Sequence, residues 1–291
     1  MRNFLFLNKH FQNQIIALSA LALSAMTLCT LTLCALTLVS CGKLPTTEPG
    51  QPFAHFIGDF EKGNLQGWHF LVPDTSVNTV VVDFPVRRGH GALKNTLRPD
   101  DHINNGYRAE LSVYDCARYR TEVFYGWSFM IDTGYSEGGG NLIAQWQDLP
   151  NYAQGESWES LPVLHGSPPP IALIYEDKKI VINMNDTPNP IPNTTFSINE
   201  KTEITKGHWY DIVFHMYWND DNSAFVEAWL DGKFITPFNG VDNKYYQRNL
   251  YTRNGNYFKF GQYRGSINPT HTNIIFLDEM RVGASYQEVA P

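Results

Sequence analysis

The stretch Trp209–Trp218 (WYDIVFHMYW) constrains the fold more than any other in this chain. Strand alternation puts Trp209, Asp211, Val213, His215 and Tyr217 on one face and Tyr210, Ile212, Phe214, Met216 and Trp218 on the other. Both faces are substantially apolar. Such a strand lies inside a sheet and is either covered on both sides or lines a groove. Shorter runs rich in β-branched and aromatic residues surround it: Thr79–Phe84, Ala109–Val113, Glu122–Ile131, Asn141–Gln147, Ile171–Tyr175, Ile180–Met184, Phe225–Leu230, Tyr257–Gln262 and Ile274–Val282. Gly, Pro, Asn and Asp break them, and Asp231-Gly232 is a hairpin turn signal. Many short strands at fairly even spacing predict an all-β fold, a sandwich of two antiparallel sheets or a jelly roll. There is no internal repeat. One segment, 148–170, is long and irregular; its Tyr152 and Trp158 suit a lid over a groove, with a solvated insertion as the alternative.

The N-terminus reads separately. Arg2 and Lys9 precede the charge-poor stretch Ile15–Val39, the layout of an export signal. The stretch is long enough to span a bilayer, so a retained anchor is the alternative. Leu38-Val39-Ser40-Cys41 resembles the lipobox of bacterial lipoproteins, in which the Cys thiol takes the lipid and becomes the new N-terminus. This predicts a signal over 1–40, a Pro/Gly/Thr-rich tether over 41–52 with Cys41 lipidated, and one domain over 53–291. No Asp follows Cys41, which by resemblance to the sorting rule of Gram-negative lipoproteins favours the outer membrane or cell surface. Cys116 then has no disulfide partner and reads as a small buried hydrophobe.

Leaving out Arg2 and Lys9 takes the basic count from 22 to 20 against 29 acidic residues, a net of −9. That charge excludes a general nucleic-acid binder. A polyanionic substrate must be met by a local basic site. Seven Trp and fifteen Tyr suit a protein that stacks rings on sugars, although most of them are needed as core.

Three motifs carry chemistry. In Tyr107-Arg108-Ala109-Glu110-Leu111, Arg108 and Glu110 share a strand face; they form a structural ion pair, or Arg108 grips a substrate carboxylate. In Gln145-Trp146-Gln147, both Gln side chains share a face, and Gln145 can donate to a carboxylate oxygen. In Tyr257-Phe258-Lys259-Phe260-Gly261-Gln262-Tyr263-Arg264, period two puts Tyr257, Lys259, Gly261 and Tyr263 on one face, an unusual row for a core.

In this order the motifs resemble those of the jelly-roll polysaccharide lyases. Alginate lyases of that fold carry R-x-E-L, then Q-x-H, then Y-F-K-x-G-x-Y. Gly58-Asp59-Phe60-Glu61, Gly89 to Lys94, Gly207-His208-Trp209-Tyr210, Trp229-Leu230-Asp231-Gly232 and Leu277-Asp278-Glu279 extend the likeness to the heparin lyase I and glucuronan lyase group. The resemblance implies a concanavalin A-like jelly roll and β-elimination on an acidic polysaccharide, by a monomer needing no catalytic cofactor. It implies Tyr263 as the catalytic residue, with Arg108 and Gln145 neutralising the uronate carboxylate so that the C5 proton can leave. Substrate contacts fall to Lys259, Tyr257, Gln147, Arg264, Tyr107 and Trp158. A phenol is a poor base unless a cation favours the phenolate, and Lys259 or Arg264 are the candidates. Relatives hold a structural Ca²⁺, for which Glu61 and Asp278 match.

The chain departs from the pattern at Gln147, where the group has His. Gln cannot act as a base. Tyr263 must then serve as both base and acid, which requires the C5 hydrogen and O4 on one side. The expectation is syn elimination at β-linked D-glucuronate or D-mannuronate. His90, His165 and His271 are the candidates to fill the gap. The alternative is a non-catalytic glycan-binding lipoprotein. A glycoside hydrolase needs paired carboxylates, and no E-x-D-x-x-E motif occurs.

Overall fold

The computed structural model describes residues 53–70, 78–104, 106–157, 167–186, 195–199, 202–265 and 267–291. The expected signal, tether and Cys41 lie outside these residues, as do Trp158 and His165. In chain order the strands are β1 Phe56–Gly58, β2 His69–Phe70, β3 Thr79–Val82, β4 Ala92–Leu97, β5 His102–Ile103, β6 Gly106–Ala117, β7 Thr121–Ile131, β8 Asn141–Asp148 and β9 Ile171–Glu176. Then come β10 Lys179–Asn185, β11 Thr195–Ser197, β12 Thr202–Glu203, β13 Trp209–Trp218, β14 Phe225–Leu230, β15 Lys233–Phe234, β16 Tyr245–Tyr246, β17 Asn256–Tyr263 and β18 Asn273–Gly283. A short α-helix, Tyr286–Val289, starts at Ser285, whose side chain accepts from the Glu288 N–H.

Two antiparallel sheets result, as the alternation predicts. The first runs β15-β14-β13-β7-β18-β4-β3, with β1 on β18 and β16 on β14. The second runs β11-β10-β9-β8-β17-β6-β2, with β12 on β10 and β5 on β6. Their inner faces meet in one core. Trp127, Phe214 and Trp218 from the first sheet pack with Trp146, Phe258 and Phe260 from the second, all fully buried. Trp127 stacks on Phe214 at 5.4 Å and Trp146 meets Phe214 edge-on at 5.1 Å.

β13 takes the predicted bounds and sits between β7 and β14. Its Ile212, Phe214, Met216 and Trp218 face the core; Asp211, Val213 and His215 face outward. Cys116 is buried, and burial pushes its thiol up to about 12, so it is inert packing. β6 outruns the expected Ala109–Val113, because Asp115 adopts a left-handed φ of 63° that lets the chain bulge and continue. That extension carries Tyr114.

Candidate active site

The outer face of the second sheet collects the motif residues. Core positions Leu111, Trp146, Phe258 and Phe260 alternate with outward ones. Register then makes a row across five strands: His69, Ser112, Lys259, Gln145 and Ala172. Beside it stand Glu110, opposite Gly261, and Arg108, opposite Tyr263. Tyr257 pairs with Gln147 on the other side. Three motifs far apart in sequence thus converge because β17 lies between β6 and β8.

The glycine in the third motif has a local reason. Gly261 has φ +134°, and a Cβ there would come within 2.2 Å of the Ala109 carbonyl oxygen. Next to it the β8 register shifts between Phe260 and Tyr263, a β-bulge. The glycine lets the backbone bulge between Lys259 and Tyr263. Gln262 then points inward and anchors the bulge. Its amide donates to the Asn95 and Asn273 carbonyls at 3.1 and 3.2 Å and accepts from Asn141 at 2.9 Å. These buried bonds fix where Tyr263 emerges.

Glu110 is the hub on the outer face, and it is fully buried. Gln145 Nε2 donates to Glu110 Oε1 at 2.5 Å, and Arg108 Nη1 lies 3.6 Å from Oε2. Arg108 also lies over the Tyr263 ring, 4.3 Å from its centroid. Sequence reasoning left Arg108 between two roles; it pairs with Glu110 and packs on Tyr263 at once. Arg108 Nε and Glu110 Oε2 are buried without a hydrogen-bond partner.

Lys259 stands next to this pair and is only 6% exposed. Among the described residues its ammonium has neither a hydrogen bond nor an ion pair. Its contact is with the Tyr257 ring, 5.1 Å away. Burial pulls its pKa below the ordinary lysine value; Glu110 opposes that shift and Arg108 adds to it. With Lys259 protonated, two cations face one carboxylate in this buried patch. Burial also holds the Tyr257 phenol well above its ordinary value, so it stays neutral.

Other expected residues fall elsewhere. Arg264 donates to the Gly138 carbonyl, away from Tyr263, so the cation on Tyr263 is Arg108. Tyr107 alternates with Arg108 and turns to the other side, edge-on to His102 at 4.8 Å. Gln147 reaches the Ser167 carbonyl at 3.5 Å, a weak bond. Of the histidines proposed to fill its gap, the His90 N–H donates to Glu61 and the His271 ring meets Ser136 and Thr270. Sequence reasoning passed over His69 and Tyr114. Tyr114 stacks on Tyr257 at 5.3 Å and His69 meets Tyr114 edge-on at 5.1 Å. The two-residue strand β2 is too short to show a period, which is why His69 carried no signal.

Backbone N–H groups engage both carboxylates of the expected Ca²⁺ pair. Glu61 accepts from the His90 and Gly91 N–H groups at 2.9 and 3.2 Å. Asp278 accepts from the Arg87 and Glu279 N–H groups, each at 2.8 Å. Among the described residues no cluster of three His, Cys, Asp or Glu is suited to a metal ion.

Comparison with known proteins follows the same lines. A family model described as polysaccharide lyase matches residues 60–281. No curated protein matches the chain. Among solved structures, an endo-beta-1,4-glucuronan lyase from the fungus Trichoderma reesei is similar at a TM-score of 0.61 and 18% identity, over 81% of this chain and 98% of that one. A family 7 alginate lyase in complex with substrate reaches 0.52 at 15% identity, over 78% and 97%. An alginate lyase bound to an alginate trisaccharide reaches 0.53 at 10% identity, over 83% and 99%. At such identities these structures share the fold.

Proposed function

Because the chain belongs to the polysaccharide lyase family, we propose that it cleaves a uronic-acid polymer by syn β-elimination at β-linked D-glucuronate or D-mannuronate. The observation that carries this reading is the buried Lys259 ammonium, which among the described residues has no hydrogen bond or ion pair and touches only the Tyr257 ring. Burying an unpaired cation is expensive. A substrate carboxylate would complete the patch, bringing two cations against two carboxylates. Gln145 holds Glu110 through one amide hydrogen, so Lys259 and Arg108 lead in neutralising the uronate and Gln145 assists with the other. Neutralised, the carboxylate stabilises the enolate-like charge that develops as the C5 proton leaves.

Tyr263 takes that proton on its phenolate oxygen. The C5–H electrons form the C4–C5 double bond, the C4–O4 bond breaks, and Tyr263 returns the proton to O4. Arg108, stacked on the ring, supplies positive charge over the face of the phenol that must carry a negative one. Tyr257, Tyr114 and Gln147 border the row and would contact neighbouring sugars. Through Cys41 the enzyme would be an exported lipoprotein at the outer membrane or cell surface of a Gram-negative cell, acting as a monomer.

A 4,5-unsaturated uronate absorbs near the ultraviolet edge, so turnover is read directly on a panel of acidic polysaccharides. Rising absorbance on a glucuronan or polymannuronate is expected. Clean cleavage of polyguluronate alone would overturn the syn assignment. The second reading, a non-catalytic glycan-binding lipoprotein, is favoured by Gln147 in place of His. It predicts binding to one of these polymers with no absorbance change on any.

A further inference from the structure

The outer face of the first sheet carries a second built cluster, on the far side of the core from Lys259. Phe124, His215 and Glu227 stand in register across β7, β13 and β14. The His215 ring stacks on Phe124, with centroids 3.9 Å apart and planes 7° from parallel. Its Nδ1 lies 3.0 Å from Glu227 Oε2 and its Nε2 2.6 Å from Glu122 Oε1. His215 and Glu227 are 7% and 8% exposed, both more than nine-tenths buried. With Phe124, Trp229, Gly232 and Tyr286 they line a cavity of about 450 Å³ that is widely open to solvent. The Trp229 and Tyr286 rings form a corner, 5.1 Å apart at 72°. Fixing a histidine between two carboxylates costs desolvation on a face that the core does not need. That cost makes sense at a binding site.

The chemistry of the walls selects the occupant. Carboxylates only accept hydrogen bonds, so His215 satisfies both when each ring nitrogen bears a proton. Two carboxylates outnumber the single ring between them, so the cluster is acidic, the opposite of the patch around Lys259. A uronate would be repelled here. An uncharged pyranose suits the site: its C–H faces pack on Trp229, Tyr286 and Phe124, and its hydroxyls donate to the remaining oxygen of Glu227. The volume falls in the range of small-ligand pockets.

We propose that this cavity is a second carbohydrate site, which takes an uncharged sugar residue while the opposite face works on the uronate. The proposal rests on the chain acting on a polysaccharide, and the absorbance assay keeps the two claims separate. The test is titration of the full chain with gluco-, manno-, galacto- and xylo-hexasaccharides, read by tryptophan fluorescence and calorimetry. At least one should bind. Trp229→Ala and Glu227→Gln should each weaken that binding tenfold or more, with turnover of short uronate oligosaccharides unchanged. Glu227→Gln keeps the side-chain volume, so it reports even where Trp229→Ala fails to fold. The proposal is overturned if none of the four binds, or if binding survives the Glu227→Gln change. It is equally overturned if tetramethylammonium binds this cavity in place of the sugars, since aromatic walls with carboxylates would then be a cation cage. Neutral-sugar binding with no absorbance change on any polymer would sink the lyase reading and leave this site standing.

Discussion

Replacing Lys259 by Met separates a functional cation from a structural one. Met keeps most of the stem length and removes the charge. An ammonium about 4 Å from a substrate carboxylate, at an effective dielectric of about 20, contributes roughly 4 kcal/mol. If that attraction is made fully in the transition state, its loss lowers kcat/KM about 10³-fold, at about 1.4 kcal/mol per decade. Stability should move the other way. Among the described residues the ammonium has no hydrogen bond or ion pair, and burial lowers its pKa, so folding disfavours the charged form. That penalty is full below the depressed folded pKa and fades as pH rises toward the unfolded value. Lys259→Met should therefore unfold at an equal or higher temperature than the parent at neutral pH, and the gap should narrow in alkali. The assays are initial rates by unsaturated-uronate absorbance and thermal unfolding by circular dichroism across pH. A variant with parental kcat/KM, or one that loses rate only because it melts several degrees lower, would refute the reasoning.

Three further outcomes follow from the same contacts. Tyr263→Phe should abolish turnover while calorimetry still finds polymer binding, because the ring and its stack with Arg108 remain; surviving activity would exclude Tyr263 as the proton carrier. Gly261→Ala should destabilise by about 1–3 kcal/mol for its backbone strain, and by more for the clash with the Ala109 carbonyl, measured by urea unfolding; an unchanged midpoint would contradict the bulge. Asp148, raised to about 7 by burial despite bonds from Thr252, is disfavoured as an anion. Its penalty is absent below about pH 4, grows up to about pH 7 and then holds, so Asp148→Asn should flatten the loss of stability over that window, seen as thermal midpoints against pH.

Much of the architecture was legible along the chain. Trp209–Trp218 and Phe225–Leu230 emerge with the bounds their period-two patterns predict, because alternation is a property of neighbours in sequence. The all-β class and the antiparallel sandwich follow from many such runs. Where the pattern broke, the reading stopped short: the expected run ended at Val113, before the bulge at Asp115 and so before Tyr114. Tyr107 and Arg264 were grouped with their neighbours by proximity in sequence, but each points away from Arg108 and Tyr263.

The sequence by itself determined which residues alternate on a strand, and that Arg108, Gln145, Lys259 and Tyr263 each stand on an outward face opposite a core row. It also carried the family resemblance, through the order of its motifs. Tertiary structure alone decided who meets whom. Strand order brings β6, β17 and β8 together, so Glu110 takes Gln145 and Arg108 while Lys259 is left over. Strand order also turns the His215 face of β13 away from that site, toward a cavity of the opposite charge. The physical reason is that alternation is encoded within a few residues, whereas register and sheet order are set by contacts between segments more than a hundred residues apart, such as Gly106–Ala117 with Asn256–Tyr263.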